Sequence, residues 1–122
     1  MLGVTGSCCT VKESHFGNNV YLSEYDEIDC RILHQTEACD PGGKELVPMT
    51  IRWIGYDSLH VTAMTVNREG ATEYWVIKSN SSEQDDYQTL KKNTRGPMSR
   101  GQFNAVIAQE GITAELKRIW TD

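Results

Sequence analysis

The sequence predicts an α+β domain, an antiparallel meander of three to five strands packed against a C-terminal helix. Three observations carry that expectation. Lys44 to Arg52 and Leu59 to Asn67 alternate apolar and polar residues on either side of the turn Gly55-Tyr56-Asp57-Ser58, the pattern of a half-buried hairpin. Thr72-Glu73-Tyr74-Trp75-Val76-Ile77-Lys78 is rich in aromatic and β-branched residues, which suit a pleated surface. Gly96-Pro97-Met98-Ser99 announces a helix: Ser99 is the N-cap, Gln102 completes a capping box, and Met98 is placed to staple onto Phe103.

In chain order, residues 1–18 read as a flexible N-terminal segment and 19–122 as one domain. Val20-Tyr21-Leu22 starts a strand, and the cluster Glu24, Asp26, Glu27 and Asp29 that follows reads as a solvated acidic face. Arg31 to Gln35 is a second short strand or helical turn, ended by the turn Asp40-Pro41-Gly42-Gly43. Lys44 to Arg52 reads as one strand whose Val47, Met49 and Ile51, with Trp53, face the core. In the next strand Leu59, Val61, Ala63 and Thr65 stand opposite His60, Thr62, Met64 and Val66. Asn67 to Gly70 turns the chain into the third strand. Tyr74 and Trp75 must point to opposite faces, so one needs a helix or the 79–95 segment to cover it, or it marks a contact site. Ser79 to Arg95 is polar and reads as an exposed loop with one helical turn, anchored by Tyr87 and Leu90. In the helix, Phe103, Val106 and Ile107 recur at helical spacing and are expected to pack on the sheet face bearing Val47, Met49 and Ile51. Gly111 supplies a left-handed stop, and Ile112 to Trp120 reads as a second short helical segment.

Seventeen acidic against twelve basic residues leave a net charge of −5, which repels phosphate backbones and anionic lipid surfaces and so disfavours nucleic-acid binding. The longest apolar stretch, 47–54, is interrupted by Pro48, Thr50 and Arg52, far short of the roughly 20 apolar residues of a spanning helix. The four cysteines are Cys8, Cys9, Cys30 and Cys39. Cys30 and Cys39 are the best disulfide candidates, since a short polar loop separates them; two reduced, partly buried thiols are the alternative.

Chemistry-bearing patterns are sparse. His15, His34 and His60 fall in different elements. Cys30, His34 and Cys39, with Asp40 or Cys9, could supply metal ligands, but zinc sites show tighter paired spacings, and no metal or cofactor is expected. No serine or cysteine has the surround of an activated nucleophile, and Ser58 beside Asp57 is explained by the turn. Glu24, Asp26, Glu27 and Asp29 lack the apolar pocket that would raise one carboxyl pKa for glycoside hydrolysis. Gly42-Gly43 precedes a strand, so no phosphate-cradling loop is formed.

Small residues run up to Cys8 and Cys9, in Val4-Thr5-Gly6-Ser7, as they do before the acylated cysteine of a bacterial lipoprotein. Thr5 or Gly6 stands where leucine is usual. With Cys8 to Asn19, Tyr21 to Glu27, Gly55-Tyr56-Asp57-Ser58, Tyr74 to Ile77 and Gly96-Pro97-Met98-Ser99, the chain resembles small uncharacterised lipoproteins of the bacterial cell envelope, some of them prophage-encoded. The resemblance implies a lipid anchor at Cys8 or Cys9 and a periplasm-facing location, with membrane association only through that anchor. It implies no reaction. The expected function is a non-enzymatic domain that binds another envelope protein or modulates envelope stress, with Glu24, Asp26, Glu27 and Asp29 as the partner-binding surface. The alternative is an immunity-type protein whose acidic surface neutralises a basic toxin.

Overall fold

Alternating runs separated by Asn-, Asp- and Gly-bearing turns pair into two antiparallel sheets in the computed structural model, which describes residues 12–26, 29–47 and 50–119. The first sheet is a four-stranded meander, β1 (Lys12–His15), β2 (Val20–Asp26), β3 (Asp29–His34) and β4 (Lys44–Val47). The second is five-stranded, in the order β8 (Thr94–Met98), β7 (Thr72–Lys78), β6 (His60–Val66), β5 (Ile51–Tyr56), β9 (Lys117–Arg118). A short helix α1 (Tyr87–Lys92) joins β7 to β8, and α2 (Arg100–Glu110) follows β8. The architecture is the expected α+β arrangement with its C-terminal helix. Its meander is doubled into two sheets, because β1 to β4 pair among themselves.

Period-two alternation explains the core between the sheets. Val20 and Leu22 of β2, Cys30 and Ile32 of β3 and Val47 of β4 meet Ile51, Val61, Ala63, Trp75 and Ile77 of the second sheet, with Leu90 of α1 closing one end. Trp75 keeps its indole N–H satisfied there by donating to Thr65 Oγ1 at 2.9 Å. The opposite face of the second sheet carries Tyr74 and Val76, and α2 lies over them. Phe103 stacks on Tyr74 with ring centroids 4.9 Å apart. Tyr74 and Trp75 do point to opposite faces, and each is covered. The Ser99–Gln102 capping box is formed in both directions, and Gly111 ends α2 at φ 62.

Several expectations are corrected. Phe103 packs on Tyr74 and Val76, whereas Val47 and Ile51 lie on the other side of the second sheet, in the core between the two sheets. Met49 lies outside the described residues. The run 44–52 is two strands in different sheets, and Thr50, at φ 73 beside the change of sheet, sits where a continuous strand cannot. Lys12–His15, read within the flexible segment, is a strand paired with β2 in the register His15↔Tyr21. The 79–95 segment holds more order than a loop. Asp86 caps α1, Leu90 is fully buried, and Thr94–Met98 adds a strand to β7. The stretch after Gly111 holds the two-residue strand β9 instead of a helix.

The expected Cys30–Cys39 bridge is not formed. Cys30 is a wholly buried thiol pointing into the inter-sheet core with Ile32. Cys39 follows β3 on the other side of that sheet, where its N–H donates to Glu13 Oε1 at 2.9 Å. The sheet itself separates the two.

Candidate functional site

The Asp57-Ser58 turn between β5 and β6 organises a charged cleft. Asp57 Oδ1 accepts the N–H groups of Leu59 and His60, each at 2.8 Å, which is the Asx-type closure that makes aspartate favourable in such turns. Asp57 Oδ2 reaches 56 and 57 residues along the chain to accept from Thr113 N at 3.0 Å and Ala114 N at 3.2 Å, with Thr113 Oγ1 at 3.2 Å. One carboxylate thus fastens the segment after α2 to the hairpin. Gly55 lets that segment lie close, since a Cβ there would stand 2.6 Å from the Glu115 carbonyl oxygen. Partial burial opposes ionisation of Asp57, but the bonds from Leu59, Thr113 and His60 outweigh it and hold its pKa at about 2.

His60, the first residue of β6, pairs with Lys78 and shares its face of the sheet, toward the end of α2. Its ring is buried between two carboxylates. Asp57 Oδ1 lies 3.3 Å from Nδ1, and Glu110 Oε1 lies 3.6 Å from Nε2. Glu110 in turn pairs through Oε2 with Arg95 of β8, and that hydrogen bond lowers the Glu110 pKa. The result is a polar chain Asp57–His60–Glu110–Arg95 drawn from the β5–β6 turn with the start of β6, α2 and β8. A cleft of about 580 Å³ opens above it, lined by Leu59, His60, Lys78, Lys92, Asn93, Arg95 and Glu110.

A second groove, about 430 Å³, lies between α2 and the sheet, where Trp53, Met64, Tyr74, Phe103 and Leu116 give it aromatic and apolar walls. Among the described residues the large apolar side chains most open to solvent are Trp53, Tyr56 and Leu59, at 37, 60 and 47 % exposure, and all three belong to the β5–β6 hairpin. On the outer face of the first sheet, His15 stacks on Tyr21 at 4.2 Å. Burial raises the Tyr21 pKa there, helped by Glu13, Glu37 and Asp40.

The residues expected to matter fare differently. Glu24 is buried at 5 % exposure, on the inward side of β2 with Val20 and Leu22, and so is not part of a solvated acidic face. Asp26 and Asp29 are register partners at the end of β2 and the start of β3. Glu27, Cys8 and Cys9 lie outside the described residues. Among the described residues no three His, Cys, Asp or Glu side chains are placed to hold a metal, and His34 Nε2 lies 3.2 Å from the Asp85 carbonyl oxygen. Sequence reasoning took Asp57 as a turn former only. Its bonds to Thr113 and Ala114, and the approach of Glu110 to His60, leave no trace in local spacing. Comparison with known protein families, with curated proteins and with solved structures finds no match to the chain.

Proposed function

We propose that the chain is a non-catalytic binding domain of the bacterial cell envelope, held at a membrane through an acylated Cys8 or Cys9 and facing the periplasm, where it engages another envelope protein. The observation that carries the binding role is the exposure of Trp53, Tyr56 and Leu59 along one hairpin, with Trp53 on the α2 face of the sheet and Tyr56 on the opposite face beside Phe16. Large aromatic and aliphatic side chains left in solvent are frequent anchors of a protein contact, and Trp and Tyr are among the residues most enriched at such anchors. The envelope location rests on the small residues before Cys8 and on the resemblance to envelope lipoproteins.

Affinity isolation from detergent-solubilised membranes tests this reading. The native chain is expected in the membrane fraction with a partner protein, and Trp53→Ala combined with Tyr56→Ala and Leu59→Ala is expected to lose that partner while keeping its fold. Recovery from the soluble fraction in complex with a basic toxin would instead favour the immunity-type role.

A further inference from the structure

The cleft above His60 departs in charge from the rest of this acidic chain. Lys78 ends β7, Lys92 ends α1 and Arg95 lies in β8, and all three line it, against one carboxylate, Glu110. The convergence is built by backbone pairing. His60 is in register with Lys78, and Lys78 N–H donates to the Asn93 carbonyl at 3.1 Å, which brings the end of α1 alongside. Among the described residues the ion pairs reach Arg95 but neither Lys78 nor Lys92. Lys92 complements the C-terminal end of α1, but a six-residue helix has little dipole to satisfy. Lys78 is on a strand, where no dipole applies, and its charge acts across the cleft on Glu110 without a close ion pair. Both lysines are exposed and point charge into a concave space, where low-dielectric walls concentrate their field.

We infer that this cleft binds a phosphate-type oxyanion, such as the terminal group of a phosphate monoester, between Lys78, Lys92 and Arg95. Arg95 carries the planar fork of donors that matches such an oxyanion. Its bond to Glu110 fixes the guanidinium at the rim before a ligand arrives. The lysines add compact charge from two other elements, and Leu59 supplies an apolar wall for whatever the phosphate is attached to. Glu110 has the opposite effect on an anion: it repels the ligand and competes for Arg95. The same chemistry fits a soluble phosphate ester or a phosphorylated lipid headgroup. The inference stands on the cleft and is independent of the anchored-domain reading.

The test is a titration of the full chain with inorganic phosphate and glycerol 3-phosphate at constant ionic strength, followed by amide chemical shifts. A parallel arm uses phosphatidylcholine vesicles with and without phosphatidic acid. Saturable shifts are expected at residues 59–60, 78, 92–95 and 110. Lys78→Ala and Lys92→Ala should each weaken binding roughly fourfold, the effect of one unit charge at about 5 Å in water, and Glu110→Gln should strengthen it by a similar factor. Binding of the soluble esters alone identifies a soluble ligand, and added retention on phosphatidic acid vesicles identifies a headgroup. Absence of saturation with every probe overturns the inference. So does binding that neither lysine substitution weakens.

Discussion

Replacing Asp57 with asparagine probes the tie between the hairpin and the segment after α2. Asparagine is isosteric but keeps one acceptor oxygen and turns the other into a donor. If the oxygen stays on Leu59 and His60, the new NH₂ faces the N–H groups of Thr113 and Ala114 and leaves both without an acceptor. At roughly 1 kcal/mol for each bond lost, plus the weakening of bonds formerly made to a charge, the loss is about 2–4 kcal/mol. The same bonds seen through the ionisation agree in size: depression of the Asp57 pKa from 3.8 to about 2 corresponds to about 2 kcal/mol before solvent screening. Because the folded-state pKa is the lower one, this stabilisation is fully present above pH 4 and is lost as pH falls through about 2. Urea unfolding followed by tryptophan fluorescence should show wild type well above Asp57→Asn at pH 7 and 5, with the gap narrowing between pH 4 and 2. Asp40, Asp86 and Glu110 are also lowered, but they titrate alike in both proteins and cancel in the difference. Equal stabilities at pH 7, or a gap that stays constant down to pH 2, would refute the assigned role.

Phe103→Ala should cost about 3–5 kcal/mol in urea melts, because it removes a buried ring stacked on Tyr74, whereas Ser99→Ala should cost about 1 kcal/mol as a lost cap. Leu90→Ala should cost about 2–5 kcal/mol, since Leu90 is the side chain that anchors α1 in the inter-sheet core; a neutral effect would show the helix to be detachable. Non-reducing peptide mapping should find Cys30 alkylated only after unfolding and never joined to Cys39.

The parts of the fold legible in the sequence are those specified by neighbours. β7 is visible in its aromatic and β-branched run, and α2 in the Ser99–Gln102 box with Gly111 behind it. The β5–β6 hairpin follows from alternation about an Asp-Ser turn. What failed depends on partners distant in sequence. β8 contains Gly96-Pro97, which reads as a breaker, and it is held as a strand by pairing with β7. Alternation alone cannot say that 44–47 and 51–56 belong to different sheets. The burial of Glu24 is legible in the strand period: it stands two residues beyond Leu22 and four beyond Val20, so a strand that buries those two buries it as well. The cleft has no signature in the sequence because Asp57 and His60, Arg95, and Glu110 come from three separate stretches of the chain and meet only when α2 packs on the second sheet.

Intact mass spectrometry of the full-length protein purified from its native host, with peptide mapping around Cys8 and Cys9, is the most direct test of an anchored, non-catalytic envelope domain. Acyl chains on Cys8 or Cys9 in the membrane fraction are the result expected. An unacylated chain recovered wholly from the soluble fraction would contradict it.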